Sequence, residues 1–172
     1  MTRAPGLPGS RHFRDSVRDS RSLRNDQGGH CLMLSDRDQE LIAAATEAIK
    51  RRYRNDWQEV GAALRTRDGR VYAGVNLDAY LGRMAVCAEA VALGQAVTQT
   101  GETGIETIVA VRHPEPADKD QTIVVVSPCG SCRELIWDYD RNARVIVPSA
   151  NGPVVAGIGE LLPNKYSRER TL

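Results

Sequence analysis

The chain has 172 residues, of which 41% are hydrophobic, and this length and composition predict a single folded domain with one core. The formal net charge is +1, so charge alone points neither to nucleic acid nor to a membrane surface. No apolar run approaches the roughly 18 residues of a membrane span, and the N-terminus lacks the apolar core of a secretory signal. We therefore expect a cytoplasmic protein that does not bind membranes.

The first 32 residues differ in composition from the rest of the chain. They contain six Arg, three Asp and four Gly, with almost no periodic apolar residues. Such a segment cannot bury enough surface to offset the entropy of ordering. We expect residues 1–32 to form a disordered Arg-rich tail and residues 33–172 to form the folded domain. Cys31, within this tail, is interpreted as an incidental free thiol.

Helix and strand signals begin directly after this boundary. Ser35 followed by Asp38 resembles a capping box, and apolar residues at helical spacing predict a helix over residues 36–53. The segments 60–66 and 70–76 flank an Asp-Gly dipeptide that is typical of hairpin turns. We expect an antiparallel pair of strands there, followed by a loop over 77–85.

The second half of the chain alternates between helices and strands. A second helix is predicted from about Cys87 to a C-cap at Gly101, and a third over about 129–139. A hairpin followed by alternating elements predicts an α/β fold with a mixed sheet flanked by helices. The remaining predicted elements are strands over 108–111, 122–126 and 143–148, a surface loop over 113–121, a turn at Asn151-Gly152 and a final stretch through Pro163.

Three of the four cysteines fall in two motifs that begin helices. Cys87 opens a Cys-Ala-Glu motif, and Cys129 and Cys132 belong to a Pro-Cys-Gly-Ser-Cys-Arg motif. Backbone N–H groups at a helix start carry partial positive charge, so they favour the thiolate form that binds metal. Three protein ligands with one open position are typical of catalytic zinc sites, whereas structural sites usually have four. The sequence therefore predicts Zn²⁺ held by these three cysteines.

Glu89 is predicted to be the general base of this site. Two residues beyond Cys87, its carboxylate can lie beside the open coordination position and move protons between water and a substrate. Three thiolates leave a zinc site with a net negative charge, and Arg133 is the candidate cation that offsets it. A Cys-Ala-Glu with a later Pro-Cys-x-x-Cys is the signature of zinc nucleobase deaminases.

Five motifs follow one another along the chain: Val60-Gly61-Ala62-Ala63-Leu64, Gly74-Val75-Asn76, Cys87-Ala88-Glu89, Ser127-Pro128-Cys129-Gly130-Ser131-Cys132-Arg133 and Glu160-Leu161-Leu162-Pro163. With these motifs, the chain from about Met33 to Tyr166 resembles the small cytidine deaminase family, and especially its blasticidin S deaminase branch. The resemblance implies a zinc-dependent hydrolytic deaminase that converts a cytosine nucleoside to its uracil form and releases ammonia. Residues 33–172 would then be its catalytic domain.

The resemblance also implies a fold, an assembly and substrate contacts. Family members have three layers, with a five-stranded mixed sheet covered by helices, and form homotetramers in which neighbouring subunits complete each active site. Their first zinc ligand is Cys, whereas tRNA and DNA deaminases usually have His, so no nucleic-acid partner is expected. Asn76 and Asp78 occupy the positions of an Asn-x-Glu motif that binds ribose hydroxyls, and Ala88 is expected to contact the substrate.

Several positions depart from the family pattern. Ala90 stands where many cytidine deaminases carry Arg, and blasticidin S deaminases are also apolar there. Glu134 replaces a common Gln and adds a negative charge near the site. Gln58 stands where a cytidine-type Phe would stack on the base, so Tyr80 or Tyr166 is a candidate for that stacking.

The sequence leaves the substrate and two other classes of function open. The Asn76-x-Asp78 spacing favours cytidine or deoxycytidine, and a cytosine nucleoside of this broader kind is the substrate we expect from the sequence. Blasticidin S or another cytosine-bearing antibiotic is the alternative, which Ala90, the missing Phe and the ending over 157–163 favour. A blasticidin enzyme must accept a long guanidinium side arm, for which Asp78 or Glu134 would form an acidic wall. The first of the two other classes is a noncatalytic binding module that zinc stabilises. In such a protein Glu89 would have no role. A nucleic-acid editor would use the Arg-rich tail to bind phosphates.

Overall fold

A computed structural model of the chain describes residues 34–166. The predicted tail, with Cys31, lies outside these residues. No helix within 34–166 is long and apolar enough to cross a membrane. The helices are α1 (Asp36–Arg52), α2 (Ala88–Thr100), α3 (Gly130–Tyr139) and α4 (Ile158–Leu161), with one 3-10 turn (Gly82–Met84), and the strands are β1 (Val60–Thr66), β2 (Val71–Val75), β3 (Ile105–Arg112), β4 (Val124–Val126), β5 (Arg144–Val147) and β6 (Val154–Gly157).

Six strands form one mixed sheet. Its order is β2-β1-β3-β5-β6, and β4 pairs with the end of β3 outside this path. All neighbouring pairs are antiparallel except β3 and β5, which are parallel. The predicted fold class, an α/β fold with a mixed sheet flanked by helices, is confirmed. The sheet has six strands rather than five because β6, which the sequence analysis included only in the final stretch, pairs along its whole length with β5.

The sheet separates two hydrophobic cores, and strand alternation decides which residues enter each core. In β1, Ala62 and Leu64 belong to the core that contains α2 and α3, whereas Ala63 belongs to the core that contains α1. Successive side chains of a strand point to opposite faces, so β3 and β5 divide in the same way. The result is the three-layer arrangement that the family resemblance implies, with α1 on one face and α2 and α3 on the other.

The start of α1 is fixed by the capping box that the sequence predicts. The Asp38 N–H donates to the Ser35 Oγ at 3.3 Å, and the Asp38 carboxylate accepts from the Ser35 N–H at 3.0 Å. Asp38 is buried and also forms an ion pair of 3.1 Å with Arg144 of β5. The first turn of the helix is therefore tied to the middle of the sheet.

Two glycines allow helices to approach the sheet closely from its two sides. A Cβ at Gly61 of β1 would lie 2.5 Å from the carbonyl oxygen of Ala45 in α1. A Cβ at Gly74 of β2 would lie 2.8 Å from the backbone nitrogen of Ala92 in α2. The edge of the sheet formed by β1 and β2 is thus held between two helices, and this fixes the position of the residues that follow β2.

We expect Gly61→Ala to lower the free energy of unfolding by about 1–3 kcal/mol, because the added methyl group must displace the α1 backbone or bend β1. Gly94→Ala is the matched control, since Gly94 is exposed in α2 with open space at its Cβ position. This variant should gain about 0.5–1 kcal/mol from helix propensity. Urea unfolding measures both changes, and an unchanged midpoint for Gly61→Ala would contradict the close packing.

Candidate active site

Three cysteines meet where two helices begin. Cys87 is the N-cap of α2, Cys129 is the N-cap of α3, and Cys132 lies in the first turn of α3. The three sulfur atoms lie within 4.8 Å of one another. The Cys87 and Cys129 sulfurs are 3.6 Å apart although 42 residues separate them along the chain. The two motifs found in the sequence therefore form one cluster.

The geometry of this cluster fits a zinc ion. Zinc–sulfur bonds of about 2.3 Å in a tetrahedron place ligand sulfurs roughly 3.8 Å apart. The observed 3.6 Å separation between the Cys87 and Cys129 sulfurs is close to that value. Among residues 34–166, no fourth Cys, His, Asp or Glu joins the cluster. Three protein ligands would leave one tetrahedral position for a water molecule or a substrate atom.

Burial and hydrogen bonding have opposite effects on the three thiols. Burial raises the pKa of Cys132, and the nearby Glu89 carboxylate raises it further. Burial likewise raises the pKa of Cys87, as does its contact with Cys129. Burial also opposes ionisation of Cys129, but the Cys132 N–H, which donates to its sulfur at 3.5 Å, and the neighbouring thiols lower its pKa overall. The helix-start effect thus prevails at Cys129, and metal binding must displace protons from the other two thiols.

Glu89 lies in the first turn of α2 beside these thiols and is only 5% exposed. Burial raises the pKa of its carboxyl, and the Cys132 thiol acts in the opposite direction without reversing the shift. A buried carboxyl with a raised pKa takes up and releases a proton closer to neutral pH than an exposed one. The position and the electrostatics of Glu89 therefore suit proton transfer.

A cavity of about 280 Å³ opens beside the cysteines. It brings together most of the predicted site residues, while Cys132 is buried behind its wall. The rest of the wall comes from strand ends and from the segment 77–86, where no chemical motif marks a site. Val60 and Ser127 each begin one of the five sequence motifs, and this is the local signal that could have found them. The lining residues that the sequence analysis did not assign to the cavity are Val60, Leu77, Ala85, Val86, Val126 and Ser127.

Asn76, a predicted ribose contact, lies in the cavity wall and is held by backbone groups. Its Oδ1 accepts from the N–H groups of Glu59 and Val60, both at 2.9 Å. Its Nδ2 donates to the carbonyl oxygen of Trp57 at 3.0 Å. One hydrogen of the side-chain amide remains for a ligand.

Asp78 presents an exposed carboxylate at the cavity wall. Its Oδ1 accepts from the Ala79 N–H at 2.6 Å, and no ion pair within residues 34–166 includes it. The two candidate stacking residues, Tyr80 and Tyr166, are 98% and 80% exposed, and neither lines the cavity. Tyr80 instead meets the Trp57 ring edge-on, with the ring centroids 5.3 Å apart.

Arg133 and Glu134 both have partners away from the cavity. Arg133 donates to the carbonyl oxygens of Pro128 at 2.9 Å and Leu161 at 3.2 Å, so its guanidinium braces the start of α3 against α4. Glu134 forms an ion pair of 2.7 Å with Lys165 and does not line the cavity. Of the two residues considered for an acidic wall, only Asp78 is in position.

The three thiols at two helix starts could hold a zinc ion, and the buried Glu89 carboxyl and the cavity beside them suit hydrolytic chemistry on a bound substrate. The family model for the cytidine and deoxycytidylate deaminase zinc-binding region matches residues 35–148. The chain belongs to this family and is a zinc-binding hydrolytic deaminase. The recognition of the family from the five motifs is confirmed, as is zinc as the cofactor.

The chain is similar to named relatives and to solved structures over most of its length. It is 47% identical over 135 residues to a blasticidin-S deaminase from Bacillus cereus, covering 78% of this chain and 96% of the relative. It is 31% identical over 112 residues to a cytidine deaminase from Sporosarcina psychrophila, covering 64% and 76%. The crystal structure of cytidine deaminase from Burkholderia pseudomallei is 29% identical with a TM-score of 0.58, covering 77% of this chain and 100% of that chain.

We expect the purified protein to carry about one zinc ion per chain, as a three-cysteine site requires. Cys132→Ser should lose most of this zinc, because the cluster of three sulfurs is reduced to two. Cys31→Ser is the matched control, since Cys31 is predicted to be an incidental thiol. Elemental analysis by mass spectrometry measures the metal content, and full zinc retention in Cys132→Ser would contradict the proposed ligand set.

Proposed function

We propose that this deaminase acts on a cytosine nucleoside that bears a cationic side arm, with blasticidin S as the substrate to test first. The observation that carries this proposal is the exposed carboxylate of Asp78 in the wall of the cavity, which forms no ion pair with the described residues 34–166. The 47% identity with a blasticidin-S deaminase, against 31% with a cytidine deaminase, supports it.

Each residue of the thiol cluster and its neighbours has a proposed task. Cys87, Cys129 and Cys132 would hold the zinc ion, which when bound would lower the pKa of a water molecule that attacks the amine-bearing carbon of the base. Glu89 takes up the proton of that water and delivers protons to the ring nitrogen and the leaving amine. The backbone N–H of Ala88, at the start of α2, contacts the substrate.

The cavity wall at the exposed Asp78 favours a cationic substituent. Glu134 pairs with Lys165 and does not line the cavity, so among residues 34–166 the acidic lining residues are Glu89, beside the thiols, and Asp78. A guanidinium group forms two parallel hydrogen bonds with a carboxylate, and such charged pairs are stronger than neutral ones. Ala90 adds no competing positive charge beside Glu89.

Cytidine or deoxycytidine is the second candidate substrate. The carboxylate of Asp78 can accept a hydrogen bond from a sugar hydroxyl, and the free amide hydrogen of Asn76 can donate one. The 31% identity with a cytidine deaminase also favours this substrate. The two candidate substrates differ in whether the sugar carries a cationic side arm. A variant that removes the negative charge of Asp78 can therefore distinguish them.

The assembly that we propose is a homotetramer in which neighbouring subunits complete each cavity. The segment 77–86 supplies part of the cavity wall and also exposes five large apolar side chains to solvent in the single chain. Exposed apolar patches of this kind mark interaction surfaces. The five are Leu77, Tyr80, Leu81, Met84 and Val86.

We also propose that residues 33–172 form the catalytic domain and that the protein works in the cytoplasm. The three clustered thiols must stay reduced to bind zinc, and cytoplasmic conditions keep thiols reduced. The Arg-rich residues 1–32 have no assigned part in turnover, so removing them should leave nucleoside deamination intact.

The substrate is tested by measuring ammonia release and the ultraviolet change with blasticidin S, cytidine and deoxycytidine. We expect blasticidin S to have the highest kcat/KM. Glu89→Gln should abolish turnover while zinc is retained, because the amide cannot move protons but leaves the three thiols in place. Turnover in this variant would contradict the role of Glu89.

Asp78→Asn in the same assay distinguishes the two candidate substrates. The amide oxygen can still accept from a hydroxyl, but the charge that pairs with a guanidinium is gone. We expect kcat/KM for blasticidin S to fall by roughly tenfold to hundredfold, and that for cytidine to change less. Equal losses on both substrates would remove the argument for a cationic side arm.

The assembly is tested with Met84→Asp, which places a charge within the exposed apolar segment. If this segment is buried between subunits, the charge should lower the molecular mass measured by light scattering from that of a tetramer. Val124→Asp is the control, because Val124 is similarly exposed but lies on β4, outside the segment. A monomeric wild-type protein would overturn the proposed assembly.

A further inference from the structure

We propose that the segment 31–33 folds over an apolar groove on the α1 face of the sheet and fills it. This segment, Cys31-Leu32-Met33, immediately precedes Leu34 and lies outside the described residues 34–166. The folded domain would then begin at Cys31 rather than at Met33, whatever nucleoside the enzyme deaminates.

The groove is apolar and is larger than the cavity beside the cysteines. It encloses about 410 Å³, against about 280 Å³ for that cavity. None of its lining residues, all of which belong to the part of the chain that the structure describes, is charged. Exposed apolar surface of this kind marks a place where a further apolar group binds. The apolar lining residues include Leu34, Ile42, Ile123, Val125, Pro148 and Pro153.

This groove is an open part of the core that contains α1. Leu34, Ile42 and Ile123 pack against that core but are only partly buried. Val125 of β4 is in the same position. A segment that covers these side chains would therefore extend an existing core rather than build a separate one.

The chain enters α1 beside this groove. Leu34 lines it together with Ile42 of α1. The N-cap residue Ser35 is extended, with φ −78° and ψ 165°, and an apolar residue just before an N-cap fixes the angle at which the chain enters the helix. Residues 31–33 are attached at Leu34, and three extended residues reach roughly 10 Å from it. They can contact the lining without a long connecting loop.

Residues 31–33 also have the composition that the groove requires. With Leu34 they form a run of four apolar residues, whereas the apolar residues among 1–30 stand singly beside polar residues, Gly or Pro. Burying one large apolar side chain changes a folding equilibrium constant by roughly tenfold or more. Met33 adds a flexible side chain that fills irregular apolar gaps. This gain opposes the entropy lost when the three residues become ordered.

The C-terminal residues 167–172 match the groove less well. The last described residues lie on the other face of the sheet, where Lys165 pairs with Glu134 at 2.7 Å and with Asp138 at 3.0 Å, both in α3. The segment that follows Tyr166, Ser-Arg-Glu-Arg-Thr-Leu, contains one apolar residue. A second copy of the chain is the other occupant to test, and it differs from segment 31–33 in that the contact would join two chains.

Urea unfolding of the full chain tests whether Leu32 is buried. Leu32→Asp should lower the midpoint, with the folding equilibrium constant reduced roughly tenfold or more, because the groove offers no partner for a buried charge. Leu23→Asp is the matched control, since Leu23 has polar neighbours, and its midpoint should equal that of the wild type. A midpoint that is unchanged in Leu32→Asp, or lowered equally in both variants, is incompatible with the proposal.

A photoactivatable benzoylphenylalanine at position 32 shows directly what this position contacts. After irradiation, peptide mass spectrometry should find links to Ile42, Ile123 or Pro153, and the linked product should run at the mass of a single chain in a denaturing gel. The same probe at position 23 should give no link to these three residues. Links that join two chains would assign the groove to a second copy, and links scattered over the surface would leave it uncovered. Either result overturns the proposal.

Discussion

The structure depends on holding three thiols within 4.8 Å of one another at two helix starts. Burial and the neighbouring thiols raise the pKa values of Cys87 and Cys132, so these two thiols resist ionisation, whereas hydrogen bonds lower the pKa of Cys129. The fold keeps them together because both helices are packed against the same face of the sheet. Small residues of α2, namely Ala88, Ala92 and Ala96, are fully buried on that face. A cation bound by the cluster would stabilise the thiolates that the protein alone disfavours.

Features set by neighbouring residues were predictable from the sequence. The capping box of Ser35 and Asp38, the turn between β1 and β2, and the C-cap of α2 at Gly101, whose φ is 71°, all follow from contacts within a few residues. Strand ends were less predictable, because pairing with another strand decides them. β3 begins at Ile105 rather than Ile108 since its first residues pair with the end of β1. The four residues of β6 are too few to show a pattern before β5 is known to lie beside them.

The same division between local and long-range effects applies to the site. The cysteine spacing and the position of Glu89 identified the thiol cluster and the buried carboxyl, because each motif lies within a single helix start. Side-chain partners far along the chain could not be read in this way. Glu134 turns to Lys165, 31 residues later, and the Asn76 side chain binds the Trp57 carbonyl oxygen, 19 residues earlier. The ion pair holds the Glu134 carboxylate away from the cavity, and the hydrogen bond to Trp57 uses one hydrogen of the Asn76 amide. Neither contact could be inferred from the residue type alone.

In the proposed function, chemistry and substrate choice reside in different parts of this molecule. The thiols and Glu89 lie at the starts of two helices whose other residues form the core, so changes there would disturb metal, acid and packing together. The part of the cavity wall that comes from the segment 77–86 is more exposed and contributes few side chains to the core. Substitutions in this segment can therefore alter the charge and shape of the wall while leaving Glu89 and the thiols in place. The chain is similar both to a relative named blasticidin-S deaminase and to one named cytidine deaminase, which is consistent with substrate choice that depends on such exposed positions.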